Sequence, residues 1–423
     1  MKVLIVGSGG REHALAWKLG QSHLVKELII APGNGGTAQE GENVPVKAGD
    51  IPGLVALAKE RRVDMVVVGP EEPLVLGLAN SLANEGVPCF GPDAYAANLE
   101  GSKAFSKTLM AESGVPTAPF AVFDQFEQAA GFVEQQGAPL VVKADGLAAG
   151  KGVVVAQTVD EALKALESIM LDRTFGSAGE RVIIEAALKG EEASFLAFSD
   201  GRHIALLPSA QDHKAIFEND EGPNTGGMGA YSPAPVLPEA DYEDVSKLTI
   251  APIIRQMDKS GHPYKGILYA GLMYGQEEPQ VLEYNVRFGD PECQPLLMRL
   301  DADLAEVMLA CIEGRVNEVA VKSRPETSIC VVMAAEGYPG SYPKGMEIHG
   351  VGDAEKIDGV KVFHAGTTLQ DGKVYSTGGR ILGVTALGAD LAGARDKAYE
   401  AVERIQFENN FYRKDIGAKG LGR

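Results

Sequence analysis

Short apolar runs alternate with amphipathic stretches through residues 1–100, the pattern of strands and helices in an open parallel sheet. Lys2 to Val6 reads as a buried strand, Gly7-Ser8-Gly9-Gly10 as a turn, and Arg11 to Leu19 as a helix. Strands follow at Leu24 to Ile30, Val63 to Gly69 and Val87 to Phe90, with helices at Ile51 to Arg61 and Leu74 to Glu85. Ala94 to Ser113 reads as one helix carrying Lys103 and Lys107, before a Pro-rich connector. The pattern then changes. Leu140 to Lys143, Val153 to Ala156 and Arg181 to Glu185 are strands interleaved with helices Phe126 to Gln136 and Val159 to Met170. Glu192 to Phe198 pairs with His203 to Pro208, and Gly266 to Met273 with the strand from Val281. Helices are expected at Tyr242 to Ser260 and Ala302 to Glu313. From Pro325 a new α+β module begins and ends on the helix Asp390 to Ile405. The fold class is α/β and α+β, multidomain. The divisions are a parallel α/β domain at 1–100, a helix and linker at 101–120, a small subdomain at 121–190, a central subdomain at 191–324 and an α+β domain at 325–423.

Composition narrows the classes. The chain has 423 residues, 45% of them hydrophobic, and a net charge of −19. The acidic balance argues against a nucleic-acid surface. No apolar run reaches membrane-spanning length, and the N-terminus lacks the pattern of a signal peptide. The four cysteines have no metal-like spacing and read as free thiols. A cytoplasmic monomer is expected.

Candidate chemistry begins at Val281 to Pro295. Glu283 and Asn285, two apart on a strand, share a face. A carboxylate beside an amide oxygen suits Mg²⁺ when substrate phosphates complete the shell, although a polar edge strand has the same appearance. Arg287, Asp290 and Glu292 follow as the strand breaks. Gly7 to Arg11 places backbone N–H groups at a helix start. The third glycine of a dinucleotide fingerprint is replaced by Glu12, so a monophosphate or small anion is the better guess, against a bare tight turn. Lys143 ends a strand before the small-residue loop Asp145 to Gly152. This arrangement suits a lid over triphosphate or an ordinary hairpin, and it is not a P-loop. Beyond it, the backbone of Glu185-Ala186-Ala187-Leu188 can read an adenine edge, and Glu192 can hold ribose hydroxyls. The long loop from Gln211 to Gly229 is read as functional. Arg380, beside two glycines, is an anion ligand or a surface arginine.

These motifs, in this order, resemble the ATP-grasp enzymes and, within them, the glycinamide ribonucleotide synthetase family. The likeness rests on Gly7 to Ala14, Val142 to Val153, Asp212-His213-Lys214, Gly222 to Pro233, Tyr269 to Met273, Arg287 to Glu292 and Phe411 to Gly417. It implies ATP-grasp domains with a mobile lid between the α/β and the C-terminal domains. It also implies ligation of glycine to 5-phosphoribosylamine through glycyl phosphate, with ATP and Mg²⁺ or Mn²⁺. Lys103 and Lys143 would touch the phosphates under a lid formed by Gly150, Lys151, Gly152 and Val153. Glu283 and Asn285 would hold the metal. Arg287, Lys214 and Asp212 would serve the transfer step. Gly9, Gly10, Arg11, Asn224, Thr225, Gly226, Gly227, Met228, Gly229, Asp290, Glu292 and Arg380 would surround the acceptor. Many ATP-grasp enzymes carry a second metal-binding acid on the preceding strand. Here Gly271-Leu272-Met273 has none.

Overall fold

The computed structural model describes residues 1–147, 152–275 and 278–422. The lid residues Gly150 and Lys151 therefore lie outside the described residues. The first domain is a five-stranded, all-parallel sheet. In space its strands run Glu42–Asn43, Glu27–Pro32, Lys2–Gly7, Met65–Val68 and Cys89–Phe90. Val3, Leu4, Ile5 and Val6 are fully buried, as a parallel strand covered on both faces requires. The order reverses direction between Lys2–Gly7 and Met65–Val68. In such sheets the crevice beyond the strand ends at that reversal is where ligands bind. Gly9, Arg11 and Glu71 stand there.

The small subdomain is an antiparallel sheet in the order Phe120–Phe123, Val182–Ala186, Leu140–Ala144, Val153–Ala156. The central sheet runs Ile204–Leu206, Glu191–Asp200, Lys265–Tyr274, Gln280–Asn285. One apolar core joins Leu4 and Val66 of the parallel sheet to Phe195 and Tyr284 of the central one. The last domain holds the sheet Thr327–Ala335, Arg380–Gly388, Val360–His364. Two short strands of the central region, Gln211–Asp212 and Gly229–Ser232, extend it. The loop between those strands, residues 213–228, is thereby fastened to the last domain.

Several elements differ from the sequence expectation. The helix expected over Ala94 to Ser113 is two, Ala94–Gly101 and Lys103–Glu112. Ser102 is extended, and its hydroxyl caps the second helix by accepting from the Phe105 N–H. Tyr242 to Ser260 is likewise divided, into Tyr242–Thr249 and Ala251–Lys259, with Pro252 in the first turn of the second. An unforeseen helix, Cys293–Arg299, follows Glu292 directly.

Candidate active site

Glu283 is the centre of charge. Its strand, Gln280–Asn285, pairs antiparallel with Lys265–Tyr274, so that Gly271 lies opposite Glu283 and Tyr269 opposite Asn285. Both the pairing and the missing second acid agree with the sequence. Burial pushes the Glu283 carboxyl up, but Lys214, Lys143, Lys103 and Arg287 together hold it below the usual range. Each cation is anchored. Lys143 Nζ donates to Glu185 at 3.0 Å and to the Leu282 carbonyl at 3.4 Å. Lys103 Nζ donates to the Gly146 carbonyl at 2.8 Å. Lys214 is paired with Glu192 and stands 3.5 Å from Asp212. Several cations around one ionised acid form a site for a polyanion that brings a cation with it.

The two carboxylates expected near a nucleoside are engaged by lysines. Glu185 lies buried between Lys143 and Lys107, each at 3.0 Å. The Ala186 N–H donates to the Pro119 carbonyl at 3.0 Å. Ala187 and Leu188 leave the strand half-buried. At the lid base, Val153 pairs with Lys143, and the Gly152 carbonyl accepts from Ala144 at 2.8 Å.

Arg287 sits where the central sheet meets the switch point of the parallel one. Its guanidinium donates to Glu100 at 2.5 Å, Glu71 at 3.2 Å, Asn285 Oδ1 at 3.1 Å and the Phe288 carbonyl at 3.3 Å. Glu100 also accepts from the Val286 N–H at 2.8 Å. Burial lifts Glu100 to about 7 against the pull of Arg287. The sequence marks Gly69 to Pro73, which holds Glu71, as the end of a parallel strand where such sheets keep their sites, but gives Glu71 no partner and does not single out Glu100. Each is one acid among 58 Asp and Glu residues, far from Arg287 in the chain. Only the position of Glu71 just past a parallel strand offered a signal.

At the glycine loop, carboxylates of the chain itself meet the helix start. Glu12 accepts from the Gly9 N–H. The Asp290 carboxylate accepts from the Arg11 N–H and from Gln294 Nε2 at 2.9 Å, and pairs with Arg380 at 3.2 Å. Arg11 itself is buried on Glu12 and the Phe288 carbonyl. A Cβ on Gly9 would stand 3.1 Å from Asp290 Oδ2, and one on Gly10 2.6 Å from Gln294 Nε2. These glycines thus admit Asp290 and Gln294 to the helix start. Burial raises the Asp290 carboxyl, and Arg380, Arg11 and Gln294 outweigh it, keeping the group ionised.

Arg380 also donates to the carbonyls of Gly226, at 2.6 Å, Gly227, at 3.3 Å, and Asp290, at 2.6 Å. Half-buried, it ties the loop at Gly226 and Gly227 to Asp290. Thr225 donates through its N–H and hydroxyl to the Lys214 carbonyl, at 2.7 and 2.9 Å. Asn224 is exposed at the rim. Met228 does not fit a substrate role through its side chain, which is buried in the core of the last domain; its N–H donates to the His213 carbonyl. Gly229 lies within the sheet opposite Val331. Glu292 is buried and accepts from Ser194 at 3.1 Å and from Tyr269 at 2.6 Å. Asp212 is lifted to about 7 by burial, against the pull of Lys214.

Comparison with known proteins places this geometry. Three family models match in sequence along the chain. Phosphoribosylglycinamide synthetase, N domain, covers 1–100; its ATP-grasp (A) domain covers 101–293; its C domain covers 328–419. A phosphoribosylamine–glycine ligase of Allochromatium vinosum is 51% identical over 426 residues, covering 100% of this chain and 99% of that one. The crystal structure of a phosphoribosylamine–glycine ligase from Thermotoga maritima superposes with a TM-score of 0.87 at 33% identity, covering 98% of this chain and 100% of that one. The biotin carboxylase domain of a Hydrogenobacter thermophilus 2-oxoglutarate carboxylase, solved with MgADP and bicarbonate, shares the fold. Its TM-score is 0.74 at 17% identity, covering 97% of this chain and 91% of that one. The chain belongs to the phosphoribosylglycinamide synthetase family of ATP-grasp ligases.

Proposed function

We propose that this chain joins glycine to 5-phosphoribosylamine in an ATP-driven ligation, giving glycinamide ribonucleotide, ADP and phosphate in de novo purine biosynthesis. The observation that carries the reading is the ring of cations about Glu283, set in a chain that the family matches from end to end. A glycine carboxylate oxygen attacks the γ-phosphorus of ATP, the bond to ADP breaks, and glycyl phosphate results. The amine of phosphoribosylamine then attacks the acyl carbon, the C–O bond to phosphate breaks, and the nitrogen gives up a proton. No side-chain nucleophile is required. Positioning and charge neutralisation supply the rate.

In this reading Lys103 and Lys143 face the phosphates. Gly150 to Val153 close over them. The backbone of Glu185 to Leu188 lines the base, and Glu192 the ribose. Lys214, with Asp212 beside it, and Arg287 face the transferring group. Glu283 and Asn285 offer two oxygens, and no group of three His, Cys, Asp or Glu side chains placed to hold a metal exists among the described residues. That donor set fits a divalent cation whose shell the phosphates complete. Mg²⁺ or Mn²⁺ bound there would neutralise charge on the triphosphate. Asn224 to Gly227 and Glu292 border the acceptor, with Gly9 to Arg11 acting through Asp290. No helix among the described residues is long and apolar enough to cross a membrane, and the reading takes the protein as a cytoplasmic monomer.

The test is ADP release. It should require glycine and phosphoribosylamine together. Equal release with formate and glycinamide ribonucleotide would overturn the assignment.

A further inference from the structure

The segment Phe411 to Gly417 has no part in the chemistry above, yet it lies directly behind Lys214. Arg413 is 1% exposed. A buried guanidinium is tolerated only when its donors are met. Here Nε and one terminal nitrogen fork onto Asp415 at 2.8 and 2.7 Å. The other terminal nitrogen donates to the Ala215 carbonyl at 3.0 Å and to Asp220 at 3.2 Å. A few residues on, the Gly417 N–H donates to His213 Nε2 at 3.3 Å. The residues on both sides of Lys214 are therefore held by the C-terminal segment. Successive side chains of an extended backbone point to opposite faces. With His213 turned to the C-terminal segment, Lys214 is directed the other way, to Glu192, Asp212 and the field of Glu283.

The same contacts seat a left-handed turn. Asn219 and Asp220 both have φ of 58°, the region that Asn and Asp adopt more readily than other residues with side chains. Asp415 accepts from the Asn219 N–H at 2.9 Å, and Lys419 pairs with Asp220 at 2.5 Å.

We propose that Arg413 is a positioning residue for the ligation: by holding the backbone at Ala215 it sets Lys214 toward the transferring group. The proposal rests on the assignment of Lys214 to the transfer step. It is tested with Arg413→Lys, whose single ammonium cannot span Asp415 and the Ala215 carbonyl together. Arg413→Lys and Lys214→Ala are compared singly and combined. The expected result for Arg413→Lys is a fall in kcat of roughly tenfold or more, with KM for ATP moving less than about twofold. In the Lys214→Ala background the same change should cost less than about a further twofold, because the group it positions is gone. A folded Arg413→Lys protein with wild-type kcat overturns the proposal. So does an equal loss in both backgrounds, which marks general destabilisation. If Arg413→Lys does not fold, Asp415→Asn, which keeps the shape of the seat but weakens the fork, is read by the same two measures. Lys214→Ala at wild-type rate removes instead the assignment beneath the proposal, and does so without any Arg413 variant.

Discussion

Glu283 is ionised because four cations outweigh its burial, and this makes it separable from the fold. Among the described residues its carboxylate takes no hydrogen bond; its work is electrostatic. The acids that structure the site are different ones. Glu185 serves Lys107 and Lys143, and Glu100 and Glu71 serve Arg287. Replacing Glu283 should therefore cost chemistry and spare stability. Glu283→Ala is expected to lower kcat by about a hundredfold or more while shifting Tm by no more than about 4 °C. Steady-state kinetics with Mg²⁺ present and a thermal melt check both halves. Wild-type turnover would sink the metal assignment, and a collapsed Tm would show that Glu283 is structural.

At the scale of elements, sequence shows what has a period and hides what has none. The strand bearing Glu283 and Asn285 was legible because alternation puts both on one face, and its partner strand was legible for the same reason. The short strands Gln211–Asp212 and Gly229–Ser232 were not. They are too brief to show alternation: Gln211–Asp212 pairs with Gly229–Ser232, and only Gly229–Ser232 has its other partner, Thr327–Ala335, about a hundred residues away in the last domain. The carboxylate at the glycine loop was hidden for a related reason. A helix start predicts that an anion will come, and nothing local says that Asp290 brings it. The break at Ser102 was missed although Gly101, a poor helix former, precedes it, because a single Gly-Ser pair inside an otherwise helical run is a weak signal. Gly227 carries this into a prediction. Its φ is 109°, and a Cβ there would stand 2.4 Å from Pro291 Cδ. An added methyl group would force the acceptor loop off the Arg287 to Glu292 run. Gly227→Ala should destabilise by about 1–3 kcal/mol and raise KM for phosphoribosylamine more than KM for ATP. Equal KM effects on both substrates would show that the loop does not border the acceptor.

Across the whole molecule, the seams between domains are built on buried neutral histidines. At the seam of the first and last domains, the His364 N–H donates to His13 Nδ1 at 2.8 Å. Asn34 joins the Ser8 and His364 carbonyls there. Glu40, Lys361 and Glu355 surround His13. At the other seam, His213 accepts from Gly417 beneath Arg413 and Lys419. Burial lowers all three histidines, His364 to about 3 and His213 to about 4, with the nearby cations adding to the effect at His213. The sign follows from linkage. A histidine of ordinary pKa in the unfolded chain binds a proton below about 6.5, whereas the folded one resists it, so stability present above that pH is lost as pH falls. For His213 the loss is on the order of 2–3 kcal/mol by about pH 4. Glu100 and Asp212, both lifted to about 7, act in the opposite direction over the same window, because the folded state binds their protons first. The net slope of stability against pH therefore cannot identify the histidines. A difference can. His213→Gln keeps an amide oxygen in reach of Gly417 and does not titrate. Its Tm, set against that of the wild type, should gain steadily between pH 7.5 and pH 5, by about 2–4 °C at the acid end. A difference that stays constant across the range would mean that His213 is already free to take its proton in the folded state, and that the seam does not resist acid as its burial requires.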